Sequence, residues 1–228
     1  MWQVLRRELA RTDRPLNALD VGGGTGGFAV PLARAGHTVT VVDASPDALA
    51  SLTRRAAEAG VGERVSAVQG DGDGLADLIP SQSIDLVLCH SLLEVVDDPH
   101  KVVTALAATL RPGGAASVVV ANRVAAVLAK AIGGNLAAAA LLVASPDGRG
   151  DARDRLRRRY SAETATALLD DCGLSVEQIH GVRIVADLVP GTVAESEPEA
   201  LAAFELALAG TPPYRDIATQ LHLLARKS

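Results

Sequence analysis

The stretch Asp20-Val21-Gly22-Gly23-Gly24-Thr25-Gly26-Gly27 closes an apolar run and opens a helical pattern. Glycine has no Cβ, so such a loop turns sharply and lets backbone approach a ligand closely. The helix behind it aims free N–H groups and the positive end of its dipole at whatever is bound. Strand, glycine loop and helix in this order demand an α/β sheet and predict a nucleotide-type cofactor site near its first strand.

Two cofactor readings fit the loop. Gly22, Gly24 and Gly27 satisfy GxGxxG, and Asp43 has the spacing of a ribose-binding acid in a dinucleotide site. The same residues also read D-x-G-x-G-x-G, with Asp20 at the strand end. A carboxylate there would repel a pyrophosphate, whereas a sulfonium and an α-ammonium would welcome it. That second form resembles motif I of the class I S-adenosylmethionine-dependent methyltransferases.

Beyond the loop, the chain alternates strands and helices. Leu16 to Val21, Thr38 to Val42, Arg64 to Gln69, Ile84 to Cys89 and Ala116 to Ala121 read as strands. Phe28 to Ala35, Ser45 or Asp47 to Ala59, and Pro99 to Leu110 read as helices, the last stopped by Pro112-Gly113-Gly114. Met1 to Arg14 reads as a short amphipathic helix, with Val4, Leu5 and Leu9 on one side. Asn122 to Tyr160 breaks the rhythm and reads as a helical insertion after strand 5. A helix over Ser161 to Cys172, a bent strand within Leu174 to Leu188, a helix over Pro198 to Ala209 and a last strand over Ile217 to Ala225 complete the chain. The expected fold is a Rossmann-like, seven-stranded, mostly parallel sheet with helices on both faces. A single domain over 1–228 is expected, with a cofactor-binding half at 16–121, an insertion on the substrate side at 122–160, and C-terminal strands and helices at 161–228.

Composition narrows the class. Aromatics make up only 2% of 228 residues, so Leu, Val and Ala must build the core. The apolar run Leu136 to Ala144 is too short to span a bilayer, and Asn135 and Pro146 bracket it. Arg6, Arg7 and Glu8 interrupt any signal-peptide pattern. Cys89 and Cys172 stand apart, without metal or CxxC spacing, which suits a reducing compartment and predicts a cytoplasmic enzyme. A net charge of −5 offers no global attraction to nucleic acid, so a polyanion would need a local patch.

In open α/β sheets ligands lie beyond the carboxyl ends of the strands, at the switch in strand order. Asp43 after strand 2 can accept both ribose hydroxyls. Asp71, in Gln69-Gly70-Asp71-Gly72 after strand 3, can accept from an adenine amino group, a role open to Asp73 as well. Cys89 and His90 follow strand 4, where a transferred methyl would pass. The glycine loop, Asp43, Gly70-Asp71, Asp85-Leu86-Val87-Leu88 and Leu110-Arg111-Pro112-Gly113-Gly114 look like class I methyltransferase landmarks in the right order. The resemblance implies S-adenosylmethionine held by Asp20, Gly22, Gly23, Gly24, Gly26, Asp43, Ala44, Gly70, Asp71, Gly72, Cys89 and His90, with no metal.

A narrower resemblance runs to the end of the chain. Cys89-His90-Ser91-Leu92-Leu93-Glu94-Val95-Val96 with Asp98-Pro99, then Asn122, Gly134-Asn135, Gly181-Val182-Arg183, Pro213-Tyr214, and His222 with Ala225-Arg226-Lys227 look like the bacterial tRNA 5-carboxymethoxyuridine methyltransferases. That resemblance implies a tRNA partner and methyl esterification of a wobble-uridine carboxylate. A carboxylate is already ionised near neutral pH and needs no general base. One arginine holding its distal oxygen would fix the nucleophile; Arg183 and Arg123 are candidates, with Asn122 and Tyr214 as hydrogen-bonding walls. His90 reads as a wall or packing residue rather than a base. His222 reads as structural, and Glu94 as a tether.

Arg149, Arg153, Arg155, Arg157, Arg158 and Arg159, interleaved with Asp151 and Asp154, read either as RNA-phosphate contacts or as a solvated helix face paired Asp151–Arg155 and Asp154–Arg158. Fold and cofactor do not fix the acceptor. A small-molecule carboxylate or hydroxyl, a non-catalytic cofactor-binding subunit and a nucleotide-dependent oxidoreductase stay as competing readings.

Overall fold

Helix starts in this chain are set by side chains that accept backbone N–H groups. Ser45 Oγ accepts from Ala48 N, with Pro46 in the first turn of the helix Pro46–Glu58. Asp98 does the same for Pro99–Thr109, and Ser161 with Thr164 forms a reciprocal capping box on Ala162–Asp171. The computed structural model describes residues 1–228, the side chain of Val193 excepted.

The strands are β1 (Asn17–Val21), β2 (Thr38–Asp43), β3 (Val65–Gln69), β4 (Ile84–His90), β5 (Leu110–Ala121), β6 (Leu174–Val182) and β7 (Gln220–Lys227). They form one seven-stranded sheet in the order β3-β2-β1-β4-β5-β7-β6. β7 runs antiparallel to both β5 and β6; the other pairings are parallel. β1 pairs with β2 on one side and β4 on the other, so the strand order reverses there and opens a crevice at the carboxyl ends.

The helices are α1 (Trp2–Leu9), α2 (Ala29–Arg34), α3 (Pro46–Glu58), α4 (Leu75–Leu78), α5 (Pro99–Thr109), α6 (Arg123–Ile132), α7 (Leu136–Ala144), α8 (Ala162–Asp171), α9 (Gly191–Ser196) and α10 (Pro198–Leu208). Leu5 from α1, Leu32 from α2 and Leu52 from α3 cover one face of the sheet with Leu86 and Leu88. Leu75 from α4, Leu106 from α5 and Leu169 from α8 cover the other with Leu19 and Val87. These side chains are fully buried. Truncating one such leucine to alanine costs about 2–5 kcal/mol.

Four local readings are corrected by the structure. β5 begins at Leu110, not Ala116, because Pro112-Gly113-Gly114 is absorbed as an irregularity in its pairing with β4. β6 ends at Val182 rather than bending on to Leu188. Arg183 takes a left-handed φ of 59°, and the Glu205 carboxylate of α10 then collects the N–H groups of Ile184, Val185 and Ala186. β7 begins only at Gln220, since Tyr214–Ile217 forms a 3-10 turn. Arginines 153–159 lie outside any helix, so the solvated-helix reading fails and its i,i+4 pairs, Asp151–Arg155 and Asp154–Arg158, do not form. No helix of the described residues is long and apolar enough to cross a membrane.

Candidate functional site

The crevice is lined first by β1. Asp20 is 2% exposed, and its Oδ2 is buried without a hydrogen-bond partner. Burial, and then the neighbouring charge of Asp43, push its pKa up to about 7. A Cβ on Gly23 would lie 2.5 Å from Asp20 Oδ2 and 2.9 Å from Val41 Cγ1, so only glycine lets the loop lie directly over this acid. Gly22 and Gly24 take φ of 72° and 54°, which open the turn for the same reason.

β2 delivers Asp43 to the loop. Its Oδ2 accepts from Gly24 N at 2.9 Å and its Oδ1 from Ser45 N at 2.9 Å. Each oxygen keeps a lone pair, so Asp43 docks the glycine loop and can still accept from a diol. Ala44 follows, exposed, its carbonyl accepting from Gln69 Nε2. After β3, Gly70 N donates to Asp43 O, and a Cβ on Gly70 would strike Leu78. Asp73 is held by Lys101 Nζ at 3.0 Å, whereas Asp71 is exposed and makes no side-chain hydrogen bond among the described residues. Of these two acids, Asp71 is the one left free for a ligand.

Leu92, in the loop after β4, faces both glycine segments. A Cβ at Gly22 would lie 3.3 Å from Leu92 Cδ1, and one at Gly72 would lie 3.4 Å from Leu92 Cδ2. Sequence reading did not mark Leu92 as a site residue; no spacing rule announces a leucine wedged between two glycine turns.

Cys89 requires a correction. Its thiol is fully buried in the core, and that burial pushes its pKa up, so it can offer a ligand only main chain. His90 Nε2 lies 2.9 Å from Ser117 Oγ, which lies 2.9 Å from His222 Nε2. Phe28 packs edge-on against His90, and its Nδ1 is buried and unpartnered. Desolvation lowers the His90 pKa to about 4, so it is neutral at physiological pH. The expectation of a packing residue rather than a base agrees with this geometry, as does the structural reading of His222, which is fully buried.

Of the four residues expected to hold the acceptor, the structure gives three other partners. Asn122 is an N-cap. Its Oδ1 accepts from Val124 N, and its Nδ2 donates to Asp216 O at 2.8 Å and Ala218 O at 2.7 Å. Its amide is spent on structure. The Arg123 guanidinium donates to Val143 O and Pro146 O, closing the end of α7 instead of reaching toward an acceptor. Arg183 is ion-paired with Asp187. Tyr214 remains exposed beside α6.

The arginine cluster is likewise divided. Arg159 forms a fork with Asp154, Arg157 pairs with Asp97, and Arg158 binds three backbone carbonyls of the loop after β4. These three serve structure. Arg153 and Arg155, with Lys130 and Leu142, line a cavity of about 390 Å³ against Asp151 and Asp154. Arg149 is exposed.

A glycine loop over a buried acid, at the switch point of a sheet with a final antiparallel strand, defines a class I S-adenosylmethionine-dependent methyltransferase, and this chain is one. The family model described as a methyltransferase domain matches residues 19–118. The chain is 28% identical over 231 residues to the tRNA 5-carboxymethoxyuridine methyltransferase of Escherichia coli K12, covering 100% of this chain and 86% of that protein. It is 34% identical over 168 residues to a ubiquinone biosynthesis O-methyltransferase of Xanthomonas euvesicatoria, covering 72% of this chain and 64% of that one. An S-adenosylmethionine-dependent methyltransferase from Methanosarcina mazei shares the fold with a TM-score of 0.67 at 15% identity, covering 100% of this chain and 98% of that one.

Proposed function

We propose that the protein transfers a methyl group from S-adenosylmethionine to the carboxylate of 5-carboxymethoxyuridine at the tRNA wobble position. The observation that carries the acceptor is the likeness to the Escherichia coli enzyme, which extends along the whole chain, the insertion included.

The crevice fits the cofactor. An orphaned, buried carboxylate oxygen at Asp20 calls for a cationic or donor partner, and an α-ammonium supplies one. Asp43 and Asp71 present acceptors for a ribose diol and an adenine amino group. Gly22, Gly23, Gly24 and Gly26 keep the loop free of side chains, and Leu92 walls the crevice. When bound, S-adenosylmethionine supplies a methyl already activated by its sulfonium charge.

The chain's own residues then orient and exclude water. An in-line displacement that neutralises opposite charges is favoured by a dry, positioned pocket, and positioning alone contributes several kcal/mol. His90, at the end of β4, is neutral and has its Nδ1 shut away, which suits an acceptor that arrives ionised. Arg149, Arg153 and Arg155 remain as phosphate contacts, and Tyr214 as an acceptor-side wall.

A hydroxyl of an apolar small molecule is the second reading. It is favoured by the Xanthomonas relative and by exposed Val124, Leu128, Ile132 and Leu136 on α6 and α7. Mass spectrometry of nucleosides from carboxymethoxyuridine-bearing tRNA, incubated with the protein and S-adenosylmethionine, separates the two. A gain of one methyl on that nucleoside supports the tRNA reading. No gain, with cofactor binding demonstrated in the same preparation, refutes it.

A further inference from the structure

The loop Ser91–Asp97 joins β4 to α5 and carries Leu92, whose side chain lies against Gly22 and Gly72 on the two glycine turns of the crevice. Its geometry is held from outside. Ser91 is left-handed, with φ of 55°, and its Oγ accepts from Gln220 Nε2 at 3.0 Å. Residues 92–96 then make one tight turn, with Val95 N and Val96 N both donating to Leu92 O. Such a turn leaves carbonyls at its end that need donors.

Segment 157–160, the irregular stretch that ends the helical insertion, provides them. Arg158 Nη1 donates to Leu93 O at 3.1 Å and to Val96 O at 2.5 Å, and its Nη2 donates to Asp97 O at 3.0 Å. Arg157 N donates to Glu94 O at 2.9 Å, and Tyr160 Oη donates to Leu93 O at 3.2 Å. Glu94 Oε1 accepts from Ala121 N at 2.7 Å, tying the same turn to the end of β5. A planar guanidinium gathers three converging carbonyls in a way that a lysine ammonium does not.

We propose that Arg158 is a positioning residue for the cofactor site: it fixes the turn after β4 so that Leu92 stays seated between Gly22 and Gly72. It touches neither cofactor nor acceptor and acts through Leu92. The insertion that lies on the acceptor side therefore also sets the wall of the cofactor crevice. This inference rests on the reading of that crevice as the cofactor site.

The test is calorimetric titration of S-adenosylhomocysteine into the wild type, Arg158→Ala, Arg158→Lys, Leu92→Ala and the double variant Arg158→Ala/Leu92→Ala, with urea unfolding of each. Losing charged hydrogen bonds to the turn weakens affinity about tenfold in Arg158→Ala, and Arg158→Lys does not restore it. Because both residues act on one contact, the double variant binds no more weakly than the weaker single variant. A merely structural arginine would lower the urea midpoint and leave affinity within about twofold of wild type, and that result overturns the proposal. So do losses that multiply in the double variant. Should Arg158→Ala not fold, the lysine variant carries the same comparison. A wild type that binds no S-adenosylhomocysteine refutes the cofactor reading itself, whereas tight wild-type binding with unchanged variants refutes only the role of Arg158.

Discussion

Replacing Asp20 with asparagine should have opposite effects on stability and on cofactor binding. The carboxyl is 2% exposed, and its pKa rises from 3.8 to about 7 through burial and the charge of Asp43. At about 1.4 kcal/mol per tenfold change in proton affinity, that rise makes the ionised carboxylate about 4 kcal/mol worse off in the fold than in the unfolded chain. Between pH 3.8 and about 7 the native state binds the extra proton, so this group's contribution to stability falls as pH rises through that window. Below it the penalty is absent; above it the penalty is complete. Asp20→Asn removes the charge at nearly constant shape. At pH 8 the ligand-free variant should therefore melt roughly 8–16 °C above the wild type, a gap that narrows by about a third at pH 6 and closes only toward the unfolded pKa of 3.8. Binding should move the other way. The variant loses the anionic partner of the α-ammonium, weakening S-adenosylhomocysteine by about 2 kcal/mol, some thirtyfold. Scanning calorimetry at pH 6 and pH 8, with and without ligand, reads both quantities. A variant less stable than wild type at pH 8 without ligand, or one that binds as tightly as wild type, would refute the reasoning.

Three further outcomes follow from named contacts. Asp43→Ala releases Gly24 N and removes the diol acceptor, so S-adenosylhomocysteine should bind about 10–100-fold more weakly by calorimetry while the protein still unfolds cooperatively. Asn122→Ala loses an N-cap and two further side-chain hydrogen bonds, one of them buried, so urea unfolding should show a loss of about 2–4 kcal/mol with cofactor affinity unchanged; weakened affinity would return Asn122 to the site. His90 is buried neutral with its pKa lowered from 6.5 to about 4, so its contribution is intact above pH 6.5 and is lost as pH falls toward 4. His90→Gln should accordingly lose about 2 kcal/mol less than wild type between pH 7 and pH 5, measured by urea unfolding across pH; parallel curves would show that His90 does not titrate as described.

Local chemistry made much of this legible. The starts at Ser45, Asp98 and Ser161 follow from side chains that bond their own helix within three residues. The succession of strands and helices through β5 follows from hydrophobic period and glycine punctuation. The crevice at the strand ends was legible for a related reason: strand ends, glycine turns and acids recur at spacings that a parallel sheet imposes. What stayed hidden depends on partners distant in the chain. Arg158 closes on carbonyls 61–65 residues earlier, Asn122 closes on carbonyls 94–96 residues later, and Arg123 reaches the far end of α7. Each is a strong donor whose target cannot be read from its neighbours, and so arginines and an asparagine suited to substrate binding proved to be fasteners.

By itself, then, the sequence determined the order of elements, the glycine loop over Asp20 and the acids after β2 and β3, because short-range sterics and hydrogen bonding decide them. Only the tertiary structure decided which polar groups stay free. It consumed Asn122, Arg123 and Arg157–Arg159, sealed the Cys89 thiol and the His90 Nδ1, left Asp71 open, and seated Leu92 between two glycines. A buried donor or acceptor must find a partner wherever the folded chain brings one, and those meetings are set by packing rather than by spacing along the chain.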